Sequence, residues 1–329
     1  MNSKDLKRLG VVVGTGVLLG AYIGMRRYST HFHELVRCRE RRVITDHGLK
    51  IYAVEYYFEK PLNVYVREED VVLIRGEHME IPHKITYGLK TIRVFFQPFD
   101  AREPYEIQSL YRWMNLKPHS ERKFAIDELE VFDAHYHFAD ESTMDMGYRL
   151  FEPRVRSQER LPLVVYLHDY QGIGDDNISQ LTSDRSIFAF ASTYAQKERP
   201  CFILACQLPK NKTQWLDPKI MNTVVDIMIR CFEVYPKIDA GRIYVVGKGI
   251  GADGALAMMD AFPNAFSAGL LDGGQLEPDF KVMTPVYIAN HDALEDKLKA
   301  NGTPVSSDHD HTNPLKHPAI LDWLFTNHK

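Results

Sequence analysis

At 329 residues the chain is long enough for two domains, each burying its own core. With 45% hydrophobic and 26% charged residues and a net charge of −4, its composition is that of ordinary globular protein and gives no sign of a nucleic-acid partner. Four cysteines, Cys38, Cys201, Cys206 and Cys231, have no CxxC or zinc-like spacing and three lie in apolar runs, so buried free thiols are expected rather than a disulfide framework.

The first element is the uncharged run "LGVVVGTGVLLGAYIGM" at residues 9–25, flanked by Lys4, Lys7 and Arg8 before it and Arg26 and Arg27 after it. Its 17 residues reach the short end of a transmembrane span. Two arginines stand where a signal peptidase would want small residues, so an uncleaved single-pass anchor holding membrane lipid is expected. Gly16, Gly20 and Gly24 recur every four residues, a face on which two such helices could pair into a homodimer, although glycine is common in membrane spans generally. Arg26, Arg27, Arg37, Arg39, Arg41 and Arg42 favour a cytoplasmic body, and the short basic head argues the other way. Residues 26–42 read as a basic linker.

From residue 43 to about 140 the pattern changes to short alternating runs, "LKIYAVEYYF", "VVLIRGE", "TIRVFFQPF" and "LEVFDAHYHF". Period-two alternation in β-branched and aromatic residues predicts antiparallel strands and a small β-sandwich. In the last run Phe132, Ala134, Tyr136 and Phe138 share one predicted face, and Asp133, His135 and His137 the other. That polar face could hold a metal, but a solvated outer surface explains it equally simply, and no further ligand stands at a recognisable spacing.

From residue 145 onward the pattern is α/β. "LPLVVYLH" is a continuous apolar strand, as for one buried on both faces, and "CFILACQLP", "GRIYVVG" and "TPVYIAN" follow it. Helical stretches such as Thr223–Phe232 and Ala255–Phe262 alternate with them, which predicts a mostly parallel sheet flanked by helices.

The motifs "YRLFEP", "LPLVVYLHDYQGIGDDNISQL", "PCFILACQLPKNKTQW" and "IDAGRIYVVGKGIGADGALAMMDAFPNAFSAGLLDGG", with the closing "ILDWLF", resemble in order the α/β-hydrolase esterases of the prolyl-oligopeptidase-like and polyhydroxybutyrate-depolymerase-like groups. Some of those esterases carry an immunoglobulin-like domain ahead of the hydrolase, and residues 43–140 look similar to it. The resemblance implies an α/β-hydrolase domain over residues 145–329, no cofactor, and a body on the extracytoplasmic side.

It also implies a catalytic turn G-x-S-x-G, in which the serine stands on a strained corner and its neighbour's backbone N–H helps to hold the oxyanion. Here the turn reads Gly247-Lys248-Gly249-Ile250-Gly251, so the nucleophile position is Gly249 and the oxyanion donor Ile250. Glycine has no group to attack a carbonyl, and such a loss lowers turnover by roughly a millionfold. The family's His-Gly after the first strand is His168-Asp169 here, a carboxylate where negative charge would develop.

The resemblance puts the acid of a triad near Asp292 and the base in "SSDHDHTN", at His309 or His311. Asp292 reads equally as a helix cap, and Asp308–His311 as a solvated loop. Adjacent residues rarely point at one ion, which argues against metal binding by that run. Ser267, Cys206 and Asp253 are the other groups considered as nucleophiles, and none falls on the corner. The expectation is a membrane-tethered, degenerate esterase serving as a binding or interaction module for a small-molecule or protein ligand. The alternative is an active hydrolase with a non-standard nucleophile.

Overall fold

The computed structural model describes residues 35–45, 48–62, 65–110, 114–117, 123–155, 159–275, 280–290, 292–308 and 313–328. The apolar run at 9–25 lies outside them. Among the described residues no helix is long and apolar enough to cross a membrane. The chain forms two compact units that divide near residue 127.

In the first unit the strands are β1 (Leu35–Thr45), β2 (Gly48–Phe58), β3 (Val71–Arg75), β4 (His78–Glu80), β5 (Lys84–Tyr87), β6 (Thr91–Asp100), β7 (Glu106–Ser109) and β8 (Lys123–Ile126). They make a five-stranded sheet, β5-β6-β2-β1-β8, and a three-stranded sheet, β4-β3-β7. Val54, Tyr56, Ile92 and Val94 of the first and Val71, Leu73 and Ile107 of the second share one core, which is what their period-two alternation predicts. The buried Tyr56 hydroxyl donates to the Met114 carbonyl at 2.8 Å, so the core carries no orphaned phenol there.

Two expectations need correction here. Residues 35–42, read as linker, belong to β1, and β1 pairs with β8 in parallel rather than antiparallel fashion. The arginines that disguise this strand are each engaged. Arg41 pairs with Asp127, Arg42 with Glu40, and the Arg37 guanidinium lies 4.2 Å from the Tyr57 ring centroid. Their stems cover apolar surface while their charges find partners, so a charge-rich sequence still makes a strand.

The second unit holds β9 (Phe132–His137), β10 (Met146–Phe151), β11 (Leu161–Leu167), β12 (Phe202–Cys206), β13 (Ile238–Lys248), β14 (Ala268–Asp272), β15 (Val286–Ala289) and β16 (Val305–Asp308). They form one sheet in the order β16-β15-β14-β13-β11-β12-β10-β9. All neighbours are parallel except β10, which runs antiparallel to β9 and β12. The run expected as the last sandwich strand is therefore the edge strand of this sheet. Its faces also depart from the expectation, because His137 is buried, 3.4 Å from Asp226, while Tyr136 and Phe138 are exposed.

The helices that matter here are α1 (Pro218–Val234), α2 (Ile250–Ala261), α3 (Asp292–Ala300) and α4 (Pro318–Thr326). Asp217 caps α1 by accepting from the Lys219 N–H, with Pro218 in the first turn, and Ile220, Val224, Ile227, Met228 and Cys231 make its buried stripe. They pack beside Leu163, Val165 and Leu167 of β11 in the main core. Each such side chain contributes about 1.5–3 kcal/mol on burial. Cys201, Cys206 and Cys231 are buried free thiols.

Candidate active site

The site lies where β13 ends and α2 begins. Gly249, between Lys248 and Ile250, has φ 52° and ψ −122°, a backbone conformation that side-chain-bearing residues adopt only under strain. Its N–H donates to the Asp272 carbonyl at 2.9 Å, tying the corner to the neighbouring strand. The flanking Gly251 is required by close approach, since any Cβ there would run into the Leu167 carbonyl. The corner is thus a tight strand-to-helix turn that its geometry reserves for glycine.

A carboxylate fills the space. A Cβ on Gly249 would overlap Oδ1 and Cγ of Asp169 and lie 2.8 Å from Oδ2. The Ile250 N–H donates to Asp169 Oδ1 at 3.2 Å. This refines the reading of Asp169 from sequence. Its own oxygen sits on the Ile250 N–H, at the positive end of α2.

Asp169 is held there from behind by His168, which is wholly buried. The Leu208 N–H donates to His168 Nε2 at 2.9 Å, so the proton is on Nδ1, which donates to the Asp169 carbonyl at 2.6 Å. Trp215 Nε1 donates to the His168 carbonyl at 3.1 Å, and the two rings meet edge-on at 5.1 Å. Burial pulls the His168 pKa down to about 4, so the ring is neutral at ordinary pH and serves as a brace.

Around the corner, charges are crowded. Lys248 pairs with Asp184 and stands 3.8 Å from Asp272. Asp184 also accepts from the Ser186 hydroxyl and N–H, and Asp272 from Asn290 Nδ2 at 2.9 Å. Burial pushes the Asp272 carboxyl above the usual range, with Asp184 and Asp169 adding to the push against the pull of Asn290 and Lys248. Burial also acts on Asp184, but Lys248 and Ser186 outweigh it and hold that carboxyl below the usual range. On the neighbouring strand β11 the Tyr166 hydroxyl is fully buried and has no hydrogen-bond partner among the described residues. Burial, then Asp184, Asp169 and Asp272, drive its pKa well up.

Of the residues singled out in the sequence, Gly249, Ile250 and Asp169 converge. Asp292 is the first residue of α3, while His309 and His311 lie outside the described residues. The alternative nucleophiles are elsewhere. Ser267 donates its hydroxyl to the Gly241 carbonyl at 2.8 Å, and Asp253 accepts from the Gln275 N–H. Cys206 is wholly buried with its thiol pushed up by that burial. Among the described residues no three of His, Cys, Asp and Glu are grouped to hold a metal ion. Sequence reasoning missed Lys248, Asp184, Asp272, Asn290 and Tyr166. Two signals were available, since Lys248 lies inside the turn motif and Asp272 closes the apolar run "AGLLD".

No protein-family model and no curated protein matches the sequence. Among solved structures, a thermostable esterase aligns with 90% of this chain and 100% of its own, at 20% identity and a TM-score of 0.66. Its likeness joins the strand order and the positive-φ glycine corner between β13 and α2. The chain has the α/β-hydrolase fold. A ferulic acid esterase (14% identity, 59% of this chain and 98% of its own, TM-score 0.45) and a bacterial heroin esterase (11%, 59% and 82%, 0.43) are more distant. Within the α/β-hydrolase unit the carboxylate on Gly249 is the feature that bears on chemistry.

Proposed function

We propose that this protein is a degenerate esterase whose hydrolase unit has become a binding or interaction module, tethered to a membrane through residues 9–25. The observation that supports it is the Asp169 carboxylate lying on Gly249, in the space a serine side chain would need and on the Ile250 N–H. Acyl transfer through a serine requires both that space and that donor. On this reading residues 35–127 are an immunoglobulin-like accessory domain, and the ligand is a small molecule or protein seated above the corner. A homodimer through Gly16, Gly20 and Gly24 belongs to the same reading.

Labelling of the full-length chain with a fluorophosphonate probe tests this. The expected result is no adduct, and an adduct on any serine of the second unit would overturn it. For the tether, carbonate washing of membranes from expressing cells is expected to leave the chain in the pellet, and its release would overturn the anchor.

A further inference from the structure

Three carboxylates share one ammonium at the corner. Lys248 Nζ pairs with Asp184 and lies 3.8 Å from Asp272 Oδ2, while Asp169 lies on Gly249, the next residue. With all three ionised, two negative charges are left over, at positions that range from half-buried to buried. Charge there is screened far less than in water. Each carboxylate is also held in place by a neutral donor. Asp169 Oδ1 accepts from the Ile250 N–H, Asp272 Oδ1 from Asn290 Nδ2, and Asp184 Oδ1 from Ser186. Asp169 Oδ2 and Asp272 Oδ2 accept no hydrogen bond from any described residue.

Tyr166 points to a ligand independently of these charges. Its side chain is wholly buried, and its hydroxyl has no hydrogen-bond partner among the described residues. The charges of Asp184, Asp169 and Asp272 all act on that hydroxyl, so it faces the same cluster. Elsewhere in the chain the Tyr56 and Tyr244 hydroxyls each donate to a backbone carbonyl at 2.8 Å. A buried phenol left unpaired is destabilising, and a ligand donor that reaches its oxygen relieves that.

The chemistry of these groups selects the ligand. An anion would be repelled, and a neutral alcohol brings no charge to meet the carboxylates. A metal ion wants several ligand atoms converging on one point, and among the described residues no three of His, Cys, Asp and Glu are so grouped. A primary ammonium carries one positive charge and three donors on a single nitrogen. Those match Asp169 Oδ2, Asp272 Oδ2 and the Tyr166 oxygen. Lys248 shows that the corner already holds an ammonium. Ile250, half-buried at the start of α2, offers apolar contact for the carbon body of the ligand.

We propose that the corner binds a small organic primary ammonium through Asp169, Asp272 and Tyr166. This rests on the binding-module reading and names the class of its ligand. The ligand nitrogen takes over Asp272, leaving Lys248 with Asp184, and the charge left over at the corner falls. Binding is reversible and no bond is made or broken. Because Lys248 competes for the same carboxylates, it sets the affinity of the site.

The test is isothermal titration calorimetry of the full-length chain with benzylammonium, benzyl alcohol and benzoate at neutral pH. Benzylammonium should bind saturably with a Kd of about 1 mM or below. Benzyl alcohol should bind at least roughly tenfold more weakly, and benzoate not at all. Asp169→Asn, whose amide oxygen can still accept from Ile250, should weaken benzylammonium binding roughly tenfold with unchanged circular dichroism. Tyr166→Phe, which removes only the unpaired hydroxyl, should also weaken binding while leaving the free protein no less stable. Lys248→Met, which removes the competing ammonium, should tighten it. Glu141→Gln, on an exposed carboxylate, should change nothing. No saturable binding, equal binding of benzylammonium and benzyl alcohol, displacement of benzylammonium by Mg²⁺ or Ca²⁺, or equal affinity in wild type and Asp169→Asn would each overturn the proposal. Fluorophosphonate labelling, which reads serine chemistry only, decides the degenerate-esterase reading separately.

Discussion

Serine at Gly249 is the obvious repair, and its effect on stability can be worked from the corner itself. Two costs arise. At φ 52° any side-chain-bearing residue is strained, by about 1–3 kcal/mol. The new Cβ also expels the Asp169 carboxylate from the Ile250 N–H, and a hydrogen bond to a charged group contributes about 1.5–3 kcal/mol. Gly249→Ser should therefore destabilise the second unit by about 2.5–6 kcal/mol, a fall in Tm on the order of 10 °C. Asp169→Gly breaks the same hydrogen bond from the other side. Because the double variant loses that bond only once, its destabilisation should fall short of the sum of the singles by about 1.5–3 kcal/mol. Urea unfolding of wild type, both singles and the double measures this coupling. Additivity within about 0.5 kcal/mol would show that the carboxylate and the glycine do not share the space, and would refute the reasoning.

The same four proteins should show at most trace turnover of p-nitrophenyl acetate in wild type and little in either single, with the most in Gly249→Ser/Asp169→Gly, because catalytic groups act as a unit. Robust wild-type turnover that persists when His309 and His311 are replaced would sink the degenerate-esterase reading. His168 titrates near pH 4 folded against about 6.5 unfolded, so its contribution is complete above pH 6.5 and lost as pH falls towards 4. Urea titrations should find about 3 kcal/mol lost over that window, and His168→Gln should flatten that slope. Lys248→Met leaves the largely buried Asp184 without its ammonium and should cost about 1–3 kcal/mol by the same measurement.

The sheet was legible where burial on both faces writes an uninterrupted apolar run, as in "LPLVVYL" of β11 and "FILAC" of β12, all of whose residues are buried. β16 was missed because "VSSD" has a single apolar residue and so no run to read, and β14 because "AGLLD" runs straight into a pair of glycines. β1 was missed because its arginines look like linker until Glu40, Asp127 and Tyr57 come into place beside them. The turn at Gly249 could be read from its glycines, since close approach to Leu167 and a positive φ both demand that residue. The Lys248, Asp184 and Asp272 cluster could not. Strand pairing brings Asp272 beside Lys248 and a loop brings Asp184, and no local spacing encodes either.

On the degenerate-esterase reading we propose, glycine at 249 and aspartate at 169 are one exchange rather than two losses. A turn that had merely lost its serine would leave the Ile250 N–H facing solvent, with the strain of the corner already relieved by glycine. Instead that N–H holds a carboxylate, in a volume open only because position 249 has no side chain. A serine-bearing corner stores about 1–3 kcal/mol in its backbone. Here glycine removes that cost, and the carboxylate occupies the volume it leaves, adding with Asp184 to the upward push that burial chiefly exerts on Asp272. Backbone strain holds a hydroxyl exposed. Here the Ile250 N–H holds a carboxylate in that place instead.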